Sequence, residues 1–339
     1  MPYSAHQHLA GSLAASYTKS NSIQKSIQMK KLTIYILLIT IASSVFSQAI
    51  DSTKLVKPDK LPIWTIYVPG ASYYYQKKYV EGTIFSALEI GGVYFGVKYD
   101  KNLKNNSSAP YYNYPLFLGL QAFQTEKIIN LKNQLELFKY HRPDFKYHDI
   151  SERDLYLAPF KKENIITPIT GGMVLLAGVF LGIEKYNEKH SILEVEQMYF
   201  VNRYINRNDA LAVFGATSLA MSWGAGVGEE YVCRNYLMPI LDYKYGQKKG
   251  LIFSSLFFGV AHFSNVLFAD KPDYGAALLQ VGEATIAGYF LGRDVQKRDY
   301  NIGPAIAAHM WYDAVLMIGS FLINPEENFL GVNIKLGIN

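Results

Sequence analysis

Carboxylates and imidazoles are rare inside long apolar stretches, yet this sequence places several of them there in a pattern. Glu229, Glu230 and Arg234 lie in one apolar run, His262 in the next, Glu283 in a third, and His309 with Asp313 in a fourth. An ionisable group in a membrane-spanning helix costs several kcal/mol unless it faces a partner or a cavity, so each is a functional candidate by default. A spacing of four residues sets two side chains one turn apart on one helix face. That spacing pairs Glu230 with Arg234, Phe258 with His262, and His309 with Asp313. An acid followed by a base, an imidazole under an aromatic ring, and an imidazole over a carboxylate are the parts of acid–base chemistry on a polar bond. Each pair alone is commonplace: a Glu-Arg pair is usually a salt bridge, and a lone histidine often only packs. The joint occurrence is different, because three separate apolar segments carry such pairs, able to converge on one site. Of seven histidines, only His262 and His309 fall inside apolar runs.

The elements that must hold these groups are long apolar segments. Runs at 165–183, 210–240, 251–268, 276–292 and 303–323 each approach the roughly 20 residues that cross a bilayer core. The expected fold is therefore all-α, a polytopic transmembrane helical bundle. The basic links 244–249 and 293–298 flank the nearly neutral link 269–274, which puts both basic links in the cytoplasm. Upstream, an aromatic segment at 61–75 and an apolar one at 82–97 are expected to form a short hairpin around the basic tip at 76–78, with residues 115–131 as a third crossing or an interfacial helix. From Met29 the chain reads MKKLTIYILLITIASSVFSQ, a basic pair, an apolar run and small residues suited to cleavage before Gln48. An uncleaved anchor is the alternative, and residues 1–28 read as an upstream extension. The chain is thus divided into 1–47, extension and signal peptide; 48–163, a membrane hairpin region with polar loops; and 164–339, the helical core that carries the site.

Composition narrows the function. Half of the 339 residues are apolar and 18% are charged, and the mean hydropathy of +0.02 requires polar segments between the spans, found at 98–112, 139–164 and 184–209. The formal charge of +5 is carried in clusters beside apolar runs rather than along one helix face, which argues against nucleic acid as a partner. The 27 tyrosines gather at span ends, where an amphipathic ring suits the boundary of lipid and water. A single cysteine, Cys233, excludes an internal disulfide and a multi-cysteine metal site.

The strings Glu229-Glu230-Tyr-Val-Cys-Arg234, Phe258-Gly-Val-Ala-His262 and His309-Met-Trp-Tyr-Asp313 resemble, in order and spacing, the EExxxR, FxxxH and HxxxN/D signatures of the CAAX-protease and bacteriocin-processing family of intramembrane endopeptidases. The resemblance spans about 209–323. It implies a hydrolase in which Glu229 is general base, His262 orients the attacking water, and His309 stabilises the oxyanion or donates a proton while Asp313 holds its ring. Many relatives carry Asn where Asp313 stands, and an ionised carboxylate cannot donate to an oxyanion. Glu230, Arg234 and Phe258 are read as structural or substrate-orienting, with Arg234 meeting a substrate carboxylate as the alternative. Cys233 is read as packing beside the site rather than as a nucleophile, and Glu283 lines the cavity or pairs with a neighbouring helix. No metal is required by this reading, and no H-E-x-x-H is present; a zinc ion held by Glu229, His262 and His309 is the alternative. The expected partners are the lipid bilayer and a membrane peptide or protein, either a prenylated CAAX terminus or a leader peptide, and the expected location is the bacterial inner membrane, multi-pass. A noncatalytic membrane scaffold or immunity protein and a small-solute or ion transporter are the rival readings. Against a transporter, no paired broken helices or inverted repeats are visible.

Overall fold

Periodic breaks in the sequence decide where the helices stop. The fold is given by a computed structural model describing residues 59–106, 113–187, 192–200, 203–267, 269, 271–325 and 334–336. The signal-like segment and the extension before it lie outside the described residues. Eight longer helices build the described fold: α1 (Tyr79–Asn106), α2 (Tyr114–Glu126), α3 (Ile128–His141), α4 (Pro168–Asn187), α5 (Arg207–Tyr245), α6 (Gln247–His262), α7 (Tyr274–Lys297) and α8 (Gly303–Ile323). Starts follow local chemistry. Asn206 caps α5 by accepting from the Asp209 N–H at 3.0 Å, and Asp273 caps α7 by accepting from Gly275 and Ala276, each such cap being worth about 1 kcal/mol. Pro304 sits in the first turn of α8, where a missing N–H costs nothing.

The aromatic segment at 61–75 does not form the expected arm of a hairpin. It is a single 3₁₀ turn, Ile63–Ile66, and a short helix, Ala71–Tyr75, separated by Pro69 and by Gly70, whose φ of +70° is open to glycine. The bend is clasped from the joint of α2 and α3. Lys127 donates to the carbonyls of Thr65 and Val68 and pairs with Glu126, whose other oxygen accepts from the Ser72 N–H at 3.0 Å. Residues 115–131 are helical but broken at this buried pair; α1 packs mainly along α2 and meets 61–75 only at its first turns, where Phe85 stacks on Tyr73 and Ser86 donates to the Pro69 carbonyl.

Two further departures concern the later half. Among the described residues, α5 and α8 are long and apolar enough to cross a membrane, and the apolar part of α4, Pro168–Ile183, is shorter. The described residues of the five expected spans are mostly helical, but α6 ends after 16 residues at His262 and α7 carries Gln280, Glu283 and Thr285 within its apolar run. The polar stretch 184–209 also holds β1 (Val195–Phe200) and β2 (Arg203–Asn206), which with β3 (Ile334–Leu336) form an antiparallel sheet in the order β2-β1-β3. A register shift between Val195 and Gln197 lets Val195 and Met198, three residues apart, both face inward. They pack with Phe214 of α5 and Phe321 of α8, whose rings stack at 3.9 Å.

Helices from both sides of residue 164 share one core, in which Ile128, Leu155, Val227, Tyr231, Leu291 and Ile306 meet. Outward faces are apolar too: Leu175 on α4 is 70% exposed, Leu279 on α7 71% and Ile286 on α7 62%. Large aliphatic side chains in such number on the outside of helices suit hydrocarbon as the surrounding solvent better than water.

The middle of α5 is a π-helix, Tyr231–Leu237. Pro239 follows it. A proline cannot donate to the carbonyl four residues back, here that of Asn235, and its ring crowds that carbonyl, so the turn before it widens. The wide turn is held from outside. The buried Asn235 side chain accepts from the His148 N–H at 3.1 Å and donates to the His148 carbonyl at 3.0 Å, while Tyr236 donates to Gln134 at 2.6 Å. His148 in turn accepts at Nδ1 from the Ile302 N–H at the entry to α8. Burial holds that imidazole below its ordinary range, which suits a nitrogen acting as acceptor. One loop thus ties the π turn of α5 to the start of α8.

Candidate active site

Consecutive residues on a helix point about 100° apart, so Glu229 and Glu230 serve different neighbours. Glu229 faces α6. Its Oε2 lies 3.8 Å from His262 Nε2, and both side chains are partly exposed, 26% and 18%. His262 Nδ1 is 2.8 Å from the Phe258 carbonyl. A carbonyl only accepts, so Nδ1 carries a hydrogen and Nε2 is the nitrogen turned towards Glu229. Groups 3.8 Å apart do not bond directly; they suit a proton or a water held between them.

Glu230 faces inward. Its Oε1 accepts from Arg234 Nη1 at 3.0 Å and from His309 Nδ1 at 2.7 Å. The other ring nitrogen of His309 lies 3.4 Å from Asp313 Oδ2. Glu230 and Arg234 are fully buried and His309 nearly so, so two carboxylates, a guanidinium and an imidazole offset one another in a place where any one alone would be costly. Glu230 Oε2 and Arg234 Nη2 remain buried without a partner.

Phe258 joins the two groups. The Arg234 guanidinium sits 3.9 Å over its ring, a cation–π contact, while His262 and His309 meet its ring edge-on at 4.7 and 5.7 Å. Glycines make the room. A Cβ at Gly226 would lie 3.0 Å from the Ile306 carbonyl and 3.1 Å from Met310, so glycine lets α8 approach α5 closely enough for His309 to reach Glu230. A Cβ at Gly288 would lie 2.9 Å from Arg234 Nη2 and 3.1 Å from Phe258. We therefore expect Gly288→Val to displace the guanidinium and ring and to cost about 1–3 kcal/mol, read as a lower melting temperature in detergent. Gly282→Val on the same helix, with open space at its Cβ, should leave melting nearly unchanged.

All seven singled-out residues thus fall in one region, in two tiers. Glu229 and His262 form the partly exposed pair; Glu230, Arg234, His309 and Asp313 form the inner network; Phe258 separates them. Glu230 does more than the expected pairing with Arg234, because it also fixes the His309 ring. Cys233 is buried against Phe258 and Ala284, in keeping with a packing role. Glu283 is exposed on α7 rather than paired to a neighbouring helix. Asn235 and His148 were not singled out from sequence; the one available signal was an amide inside an apolar run beside Arg234. As to a metal, no three His, Cys, Asp or Glu side chains come together as a ligand set among the described residues. Glu229 and His262 supply two donors, and both nitrogens of His309 face carboxylates, so the set Glu229, His262 and His309 is not assembled.

Residues 212–315 match the protein family described as type II CAAX prenyl endopeptidase Rce1-like. The matched stretch contains every motif residue from Glu229 to Asp313, and the family is one of CAAX-type proteases embedded in membranes. No curated protein and no solved structure matches the chain.

Proposed function

We propose, from the CAAX prenyl endopeptidase match over residues 212–315 and from the geometry around Glu229, that this protein is an intramembrane endopeptidase that hydrolyses a peptide bond of a membrane-associated substrate with a water activated by Glu229 and His262. One observation carries the reading: a carboxylate and an imidazole nitrogen face each other at 3.8 Å with both side chains accessible. Glu229 takes a proton from the water while His262 Nε2 accepts the second hydrogen and fixes its direction. The water oxygen adds to the scissile carbonyl carbon. The resulting oxyanion is met by the positive side of His309, whose Nε2 contact to Asp313 is loose at 3.4 Å and whose ring is held by Glu230. Glu229 then returns its proton to the amide nitrogen as the C–N bond breaks, leaving a carboxylate and an amine. The protein acts as a multi-pass component of the bacterial inner membrane, and Arg234 and Phe258 position the inner network.

The test is cleavage of quenched fluorescent peptides by the purified protein in detergent, with and without a strong zinc chelator. His262→Ala should lower kcat/KM by roughly a hundredfold, the low end for losing a positioned acid–base group, and chelation should leave wild-type activity in place. A wild type that cleaves nothing, or a His262→Ala variant as active as the wild type, sinks the assignment; loss of activity in chelator with recovery on adding zinc overturns the metal-free route.

A further inference from the structure

The helices around the site carry an uneven charge. Over 210–233, 251–265, 274–292 and 303–323 there is no lysine or arginine. Arg234, just beyond the first stretch, is buried and committed to Glu230 and Phe258. Against this stand three accessible carboxylates: Glu229, Asp313 and Glu283.

Glu283 is the one that neither tier uses. Its neighbour Ala284 is buried against Cys233 and Phe258. One turn earlier, Gln280 accepts from Asn265, three residues past His262, at 3.2 Å. The Glu283 carboxylate lies within electrostatic reach of the Tyr312 hydroxyl, next to Asp313. These neighbours set this part of α7 against the end of α6 that carries His262, where α7 packs along α6 and barely touches α8. Among the described residues it has no ion pair or hydrogen bond, and it shares its helix face with the exposed Leu279 and Ile286. An ionised carboxylate on such a face is costly unless a polar partner meets it, and among the described residues none pairs with it.

The geometry points to Glu283 as a specificity determinant that receives a cationic group of the substrate, a lysine or arginine side chain near the scissile bond. This rests on the peptidase reading and selects within it. A free terminal carboxylate, as at the end of a CAAX peptide, would be repelled by Glu283, whereas a basic residue within a leader or other internal segment would be attracted. Glu283 acts by holding the substrate, not on the reacting atoms.

The experiment uses the full-length protein in detergent and matched quenched peptides that differ only in Lys, Gln or Glu at successive positions around the bond, with cleavage sites mapped by mass spectrometry. For the wild type, Lys should exceed Glu in kcat/KM by about tenfold at one position, the size of a single favourable charge contact. Glu283→Gln should bring that ratio towards one, and Glu283→Lys should invert it, an outcome that a merely structural effect of the substitution would not produce. A Lys-to-Glu ratio of one in the wild type, or the same ratio in wild type and Glu283→Lys, overturns the inference while leaving the peptidase assignment standing. No cleavage of any peptide by the wild type overturns both.

Discussion

Glu229→Gln should lower kcat by about a thousandfold, within the range for removing a general base, while leaving the protein as stable as the wild type. The amide keeps the size of the carboxylate but cannot take the proton of the water. Stability should hold because Glu229 is partly exposed and, among the described residues, makes no side-chain hydrogen bond, its approach to His262 Nε2 being 3.8 Å. The neighbouring change Glu230→Gln is a useful contrast. That side chain is buried against Arg234 and His309, so its loss should depress folding and activity together. Rates measured alongside melting in detergent separate the two; equal destabilisation by both substitutions would contradict the two-tier arrangement.

The second large effect is expected from Arg234→Met. The guanidinium offsets Glu230 in a fully buried pair and covers the face of Phe258. Removing it leaves a buried carboxylate with less compensation, an error that costs about 3–5 kcal/mol in comparable sites. The double variant Glu230→Gln with Arg234→Met removes the charge as well as its partner and should recover much of the lost stability. Activity should not recover in parallel, because Phe258 loses the cation that helps fix it between the two imidazoles. Thermal unfolding of the four proteins in one detergent gives the coupling directly. Additive losses, with the double variant least stable, would show that the two side chains do not act as a buried pair.

Much of the site was legible from residue type and spacing. Ionisable groups stand out against apolar helices, so Glu229, Glu230, Arg234, His262, His309 and Asp313 could be singled out, and the i to i+4 relation placed Arg234 over Glu230 and His309 near Asp313. Their division of labour was not legible. Glu229 and Glu230 are adjacent and alike, and which one meets His262 and which meets His309 depends on the rotation of α5 against α6 and α8. The pairing of Asn235 with His148 joins residues 87 apart and leaves no local trace.

The fold was legible where hydrophobicity is long and uniform, as in α8, whose bounds at Gly303–Ile323 coincide with the apolar run. It was not legible where backbone chemistry overrides composition. Pro69 and Gly70 turn an aromatic run into a bend, and Pro239 widens a helix into a π turn. The β1–β2 strands sit in a polar stretch because Val195, Met198 and Ile205 find a shared cover on α5 and α8, a long-range fact that no short window holds.

The central claim is that Glu229 activates a water that attacks the peptide carbonyl. It is tested most directly by running a first turnover in heavy-oxygen water, with enzyme in excess over a cleavable peptide, and weighing the new carboxy-terminal fragment. The account predicts one heavy oxygen in that carboxylate from the wild type and no fragment from Glu229→Gln on the same timescale. A first-turnover fragment without the label would place an enzyme oxygen in the product and make Glu229 a nucleophile, and an active Glu229→Gln would move the base elsewhere.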